Sequence, residues 1–290
     1  MFKSLVLCAA AALVASGCAL TPPAATPPAA AAGPTATPAV AGKVKVQWLG
    51  QAAFKITTVE GKVIVIDPWL KTNPKTPEAY RKLEALGKVD LILVTHGHFD
   101  HMADAPELAR MHGAPVWANS GLGQSFAILG LVPPAQAQRM NMGGTVTPIG
   151  PKVKVSMVKA EHSSEIVWKN PATGKDEVHV GGTSAGFIIE FENGFKLWHM
   201  GDTGAFGDMK LIADMFKPDL VLLPIGGGQF QMNPQQAAMV TRDFVKPKAV
   251  IPMHYGTNPS LPGTPAALIQ ALGDSPVKVM PINPGDTAEF

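Results

Sequence analysis

Cysteine is nearly absent: the 290-residue chain holds two, Cys8 and Cys18, and both fall within its first eighteen residues. Beyond residue 18 the chain can therefore build no disulfide framework and can offer no thiol nucleophile. No Gly-x-Ser-x-Gly elbow is expected either, which leaves serine-based acyl transfer unsupported. Charge of either sign is sparse. The 24 Lys and Arg and 22 Asp and Glu give a net charge of +2, and no basic run interleaved with aromatics stands out, so nucleic acid is not an expected partner. Long apolar runs are also missing, because the N-terminal stretch Leu5 to Val14 is too short to cross a bilayer comfortably.

What is present is histidine, concentrated where an apolar strand ends. Leu91-Ile-Leu-Val-Thr runs directly into His96-Gly-His98-Phe-Asp100-His101, three imidazoles and a carboxylate within six residues. A loop gains nothing from three histidines, whereas neutral imidazoles and carboxylates are the donors that hold Zn²⁺ and similar cations. Single candidates follow at the ends of later apolar runs: His162 after Val153 to Val158, Asp202 after Phe195 to Met200, and His254 after Ala249 to Met253. Each alone reads equally as a strand-end histidine or a turn aspartate. Together they make seven candidate ligands, five imidazoles and two carboxylates, which suits a pair of ions sharing a water or hydroxide.

With Asp67 in Val65-Ile-Asp-Pro68 ahead of the histidine cluster, the ordered set resembles the metallo-β-lactamase superfamily from about Lys43 to the C-terminus. Gly201-Asp-Thr-Gly204, Leu223-Pro-Ile-Gly226 and Ile251-Pro-Met-His254-Tyr-Gly256 are similar to its branch of metal-dependent hydrolases related to L-ascorbate-6-phosphate lactonase and to the phospholipase D that cleaves N-acyl phosphatidylethanolamine. The resemblance implies an α/β fold, a four-layer αββα sandwich of two mixed β-sheets face to face with helices outside. It implies that His96, His98 and His162 hold one divalent ion and Asp100, His101 and His254 the other, with Asp202 between them. Zinc is the expected metal, with manganese as the other candidate. Asp67 would orient a ligand histidine through its free ring N–H, the alternative being an ordinary Asp-Pro strand terminator.

Two such cations would make hydroxide available near neutral pH as the nucleophile, and would stabilise the oxygen that gains charge. Asp100 could then pass a proton to the leaving group, so Asp100 and Asp202 are the catalytic candidates. The expected activity is hydrolysis of an ester, lactone, amide or phosphodiester in a small or lipid-like molecule; the alternative is a metal-binding lipoprotein without turnover. Candidate substrate contacts are Trp168, in a long segment Glu165 to Gly182 read as a lid, Gln229 and Phe230 in a Gly226 to Met232 loop read as an anion receptor, and Tyr255. The branch often carries Asn-Phe-Thr where this chain has Gln229-Phe-Gln231, so substrate preference does not carry over. His199 is a candidate support of the metal ligands, although a packed strand histidine is the plainer reading. His112 reads as a helix C-terminal residue and His179 as an exposed loop residue.

Residues 1–18 read as a targeting segment, with Lys3 leading an apolar core and Ala15-Ser-Gly-Cys18 closing it. The close resembles a bacterial lipobox, with Ala15 where the pattern prefers Leu. It implies lipidation of Cys18, and a membrane-anchored lipoprotein of the cell envelope facing the periplasm. Ala19, in place of an Asp, points to the outer membrane; a plain secretory signal is the alternative. Residues 19–42, rich in Ala, Pro and Thr, read as an extended tether, and residues 43–290 as one catalytic domain. Within it, helices are predicted over Pro77 to Leu86, Asp104 to Met111, Gly121 to Leu129, Phe206 to Phe216, Pro234 to Phe244 and Pro265 to Leu272.

Overall fold

The computed structural model describes residues 41–290. The expected leader over residues 1–18 and residues 19–40 of the expected tether, including the lipidation candidate Cys18, lie outside the described residues. The first half of the domain contributes strands β1 (Lys45–Gly50), β2 (Ala53–Thr57), β3 (Val63–Ile66), β4 (Leu91–Leu93), β5 (Val116–Asn119) and β6 (Ala137–Met140). Helical turns between them are α1 (Glu78–Arg81), α2 (Phe99–Met102), α3 (Ala105–His112) and α4 (Ser120–Ile128). The second half contributes β7 (Thr145–Val146), β8 (Lys154–Lys159), β9 (Glu165–Lys169), β10 (Asp176–Val180), β11 (Ala185–Glu190), β12 (Lys196–His199), β13 (Leu220–Pro224), β14 (Ala249–Met253), β15 (Lys278–Val279) and β16 (Thr287–Glu289). Its helices are α5 (Met209–Phe216), α6 (Pro234–Met239) and α7 (Pro265–Leu272).

Two seven-stranded sheets result, ordered β16-β1-β2-β3-β4-β5-β6 and β15-β14-β13-β12-β11-β8-β7. Each is mixed: β3 to β6 and β12 to β15 run parallel, while the remaining neighbours are antiparallel. The layering follows from strands that are apolar on both faces, since each face then needs a cover. Ile64, Ile66, Leu91 and Leu93 meet Phe187, Ile189, Leu222 and Ile251 in a central core between the sheets. The alternate residues Val65, Ile92 and Val94 turn outward onto Leu108 of α3 and Phe126 of α4. On the far side Ile188, Trp198 and Val221 turn outward onto Ile212 of α5 and Leu268 of α7. This is the αββα sandwich read from the sequence. Among the described residues no helix is long and apolar enough to cross a membrane.

Three elements differ from expectation. The helix predicted over Pro77 to Leu86 is two short turns, because Lys82 is extended (φ −88°, ψ 112°) and Leu83 and Leu86 swing into the core behind the break. The Pro234 to Phe244 helix changes after Met239 into a wider π-helical turn, Val240–Val245. The segment read as a lid loop is a two-stranded hairpin, β9 against β10, with Val167 opposite Val178 and His179 opposite Ile166. Ile166 is buried while Val167 and Val178 are exposed, so the hairpin has one packed face and one open face.

Removing Phe187, fully buried between the sheets, should cost ~3–5 kcal/mol in a Phe187→Ala variant. Val178→Ala on the open hairpin face should stay within about 0.5 kcal/mol. Urea denaturation of both variants checks the contrast.

Candidate metal centre

The parallel strands of both sheets end along one edge, and the seven candidate ligands occupy the segments that follow. His96 and His98 follow β4, Asp100 and His101 ride on α2, and His162, Asp202 and His254 follow β8, β12 and β14. Gly97 is required between the first two histidines, since a Cβ there would lie 2.9 Å from the carbonyl oxygen of Glu165. Donor atoms within 4.8 Å of one another form three sets: His96, His98 and His162; His96, His101 and Asp202; and Asp100, His101 and His254. Asp202 reaches across the sets. Its Oδ2 lies 3.8 Å from His162 Nε2 and 3.1 Å from His254 Nε2, and its Oδ1 lies 3.5 Å from His101 Nε2.

The cluster fits metal cations on its own chemistry. His101 Nε2 and His254 Nε2 approach to 3.3 Å, and His96 Nε2 and His98 Nδ1 to 2.9 Å, so ring nitrogens converge on shared points. Asp202 Oδ1 is buried without a hydrogen-bond partner, which is costly for a carboxylate unless a cation meets it. Burial, reinforced by His101, holds the His96 imidazole well below its usual pKa, and burial lowers His162, so both are in the neutral form that ligates. Burial would also lower His254, but Asp202 and Asp100 overcome it and push this imidazole up to about 9. For Asp202, burial opposes charge, yet His254 and His101 hold its carboxyl well below the carboxylate range.

Several residues around the cluster hold it in place. Asp67, fully buried, accepts from Thr95 N at 2.8 Å and Thr95 Oγ1 at 2.7 Å, and its Oδ2 lies 2.7 Å from His101 Nδ1. A proton on that Nδ1 leaves Nε2 free to face the cluster. His199 makes no contact of this kind: its Nε2 bonds the Ala52 carbonyl at 2.9 Å and its Nδ1 accepts from Gly201 N at 3.1 Å. It therefore fixes the turn before Asp202 through backbone alone.

Two supporting residues were not foreseen. Gln51, in the β1–β2 turn, donates from Nε2 to Asp100 Oδ2 at 2.9 Å, accepts from Thr257 on Oε1, and takes the His254 N–H on its own carbonyl at 3.0 Å. Its one sequence signal is a polar side chain alone within Trp48-Leu-Gly-Gln-Ala-Ala-Phe54. Glu165 sits 3.2 Å from the outer nitrogen of His98, and that hydrogen bond lowers its carboxyl pKa.

A cavity of about 750 Å³ opens on the cluster, lined by His98, Asp100, His162, Asp202 and His254 together with Gln51 and Glu165. Of the candidate substrate contacts only Phe230 lines it. Trp168 points to the packed face of the hairpin, edge-on to His179 at 5.6 Å, and its neighbour Val167 takes the cavity wall. His179 is thus a half-buried strand residue and not an exposed loop one. Gln229 is exposed beside the cavity, while Gln231 turns inward to donate to the His254 carbonyl at 2.8 Å. Tyr255 packs on Trp48, with ring centroids 5.5 Å apart, and joins the core.

The glycines of the Gly226 to Met232 loop allow close packing. Gly228, with φ +64°, has the Ser260 carbonyl 2.0 Å from where a Cβ would stand, and the Asn233 side chain accepts from Gln236 N of α6 in a capping box. A Gly-x-Ser-x-Gly pattern does occur at Gly182 to Gly186, against expectation. Its Ser184 is buried, donates to the Ser163 carbonyl at 2.7 Å and leads into a strand, so it presents no nucleophile. His112 ends α3 ahead of Gly113 in the left-handed conformation.

The profile of the beta-lactamase superfamily domain matches residues 62–255. A UPF0173 metal-dependent hydrolase of Polaromonas sp. is 60% identical over 249 residues, 86% of this chain and 90% of that protein. Another, from Cupriavidus necator, is 56% identical over 291 residues, 99% of each chain. Among solved structures, a metallo hydrolase from the hyperthermophilic archaeon Ignicoccus hospitalis is similar with a TM-score of 0.72 and 31% identity, over 86% of this chain and 98% of that one. Fold and histidine-carboxylate edge together define a metal-dependent hydrolase of the metallo-β-lactamase superfamily. Within that class, the chain belongs to the UPF0173 metal-dependent hydrolases.

Asp67→Asn and Gln51→Ala should each weaken metal binding by ~10–100-fold, because each removes a support of a donor group and not the donor itself. Competition against a chromophoric chelator reads the affinity, and an unchanged circular dichroism spectrum separates this effect from unfolding.

Proposed function

We propose that the protein is a two-metal hydrolase in which His96, His98 and His162 hold one divalent ion, Asp100, His101 and His254 hold the second, and Asp202 is shared. The observation that carries this reading is the placement of Asp202, whose carboxylate reaches His162 of one set and His254 and His101 of the other while Oδ1 is left without a hydrogen bond. Zinc suits this donor set, with manganese as the second candidate. Two such ions would supply an activated water near neutral pH and stabilise charge developing on the attacked oxygen.

The chain's own residues supply the rest. Asp100 lines the cavity; its Oδ2, which accepts from the Gln51 amide and faces His101 and His254, would hold the ion, and its other oxygen would pass a proton to the leaving group. His98 and His162 on one side and His254 on the other confine the reacting bond above Asp202. An open cavity on the cluster supports turnover over metal storage, since a storage site needs no room for a second molecule. The leader sequence supports a further part of the proposal, that Cys18 is lipidated and anchors the enzyme to the periplasmic side of the outer membrane, with no nucleic acid among its partners.

Elemental analysis of the purified protein should give two metal equivalents per chain, falling to one or fewer in Asp202→Ala with loss of hydrolysis. A folded parent protein that takes up only one equivalent from excess Zn²⁺ or Mn²⁺ would sink the two-metal reading. For the anchor, metabolic labelling with a fatty-acid analogue should mark the full-length chain and miss Cys18→Ser; equal labelling, or none in the parent, refutes it.

A further inference from the structure

The wall of the cavity that leads away from the metal ligands is mostly hydrocarbon, with Asn258 and Ser260 as uncharged polar members. Phe99 and Met102 come from α2, Val167 from β9, Phe230 from the loop after β13, and Pro259 and Leu261 from the segment after β14. These residues come from four separate parts of the chain, and three of them are left open to solvent: Phe99 and Val167 at 68% exposure each and Phe230 at 46%. Large apolar side chains converging at an open mouth mark a binding surface more than a packing accident. Phe99 is held edge-on against Trp69 at 5.4 Å, so the wall is fixed in advance. The open hairpin face continues it outward through Val178 and Val180.

Charge on this wall is as informative. Among the described residues no lysine or arginine lines the cavity, and the one ionisable group there apart from the candidate ligands is the Glu165 carboxylate. A two-metal centre can hold the oxygens of a phosphate as well as those of a carboxylic ester, so the wall bears on what lies beyond the reacting bond, where no guanidinium or ammonium stands to pair with a further anionic group. Beyond the cluster the one charge is the Glu165 carboxylate, 3.2 Å from His98 Nε2, which disfavours a second anionic group in the rest of the substrate.

We infer that the substrate is a neutral carboxylic ester or lactone carrying a hydrocarbon chain, with its acyl carbon at the metal cluster and its chain along Phe99, Val167 and Phe230. The inference rests on the hydrolase reading above and names its substrate class. In the reaction, the oxygen of one water bonds to the acyl carbon and the bond from that carbon to the alkoxy oxygen breaks. One water proton ends on the leaving alkoxide by way of Asp100, and the acid formed loses its proton to solvent. No oxidant, reductant or second substrate is needed. Each methylene laid on the wall should raise kcat/KM roughly three- to fourfold until the wall ends.

The test uses the metal-loaded full chain with p-nitrophenyl acetate and octanoate, bis(p-nitrophenyl) phosphate, and p-nitrophenyl phosphate. Beside these runs the binding of N-phenyl-1-naphthylamine, a neutral apolar fluorophore, displaced by octanol. The expected result is a kcat/KM at least about a hundredfold higher for octanoate than for acetate, with little action on either phosphate. That ratio should fall at least tenfold in Val167→Asp and in Phe230→Ala, and both should lose the fluorophore while keeping the parent's metal content. Equal action on acetate and octanoate, a preference for either phosphate, or no fluorophore binding would overturn the inference and leave the hydrolase reading standing. No hydrolysis of any compound by a protein that binds two metals and the fluorophore would instead overturn the hydrolase reading, and the substrate assignment with it.

Discussion

A buried carboxylate without a hydrogen-bond partner on one oxygen, Asp202 Oδ1, lies where five imidazoles crowd together, and much of the domain serves to make that arrangement possible. Such a group is stable only against positive charge. Burial opposes charge on His101 and His254, yet Asp202 and Asp100 raise both imidazoles above their ordinary pKa. Under the proposed reading, cations would take the place of those protons at the same oxygens. The same constraint explains why the candidate ligands come from four separate segments: no single helix or hairpin can aim this many donors at one point, whereas parallel strands of two facing sheets all end at one edge.

Holding that convergence bends the backbone. Gln51 (φ 52°), Asp67 (φ 48°) and His254 (φ 55°) adopt left-handed conformations without being glycine, each a strain of about 1–3 kcal/mol that persists only where surrounding structure fixes it. All three are tied down at the site. The Gln51 carbonyl takes the His254 N–H, and the Asp67 carboxylate takes both the N–H and the hydroxyl of Thr95. The central core between the sheets, with Ile64, Leu93, Phe187 and Ile251 fully buried, is stiff enough to sustain these conformations.

The ligand set was legible because each member closes an apolar run, and a polar residue that ends a buried strand has a small choice of purposes. The sandwich was legible for a related reason, as runs such as Val63 to Ile66 and Leu91 to Val94 are apolar on both faces and demand two covers. What stayed hidden depends on register or distance. Gln51 meets Asp100 across 49 residues of sequence, and nothing local marks it. Trp168 was the conspicuous residue of its segment, yet strand alternation sends it inward with Ile166 and sends Val167 to the cavity, and only the β9–β10 pairing decides which face is which. Gln229 and Gln231 lie in a turn, where no alternation marks a face, and the one is exposed while the other turns to His254. The helix over Pro77 to Leu86 failed at Lys82, where burial of Leu83 and Leu86 outweighed helix propensity.

Ligands and wall divide the chemistry of recognition between them. The histidines and carboxylates act on whatever polar bond reaches them, so they carry little selectivity of their own, and the family's shared edge of donors is compatible with several reactions. Selectivity has to come from what lies beyond the reacting bond, because binding energy from remote parts of a substrate is what positions it for reaction. On this chain those remote contacts are Phe99, Val167 and Phe230, with the Glu165 carboxylate at the mouth and no lysine or arginine among the lining residues. A chain of methylenes gains by leaving water along such a wall, while an anionic group gains nothing there and meets a carboxylate on the way in. The apolar hairpin face and the polar edge are therefore complementary parts of one device, with the edge supplying the chemistry and the wall setting which molecule brings a bond to it.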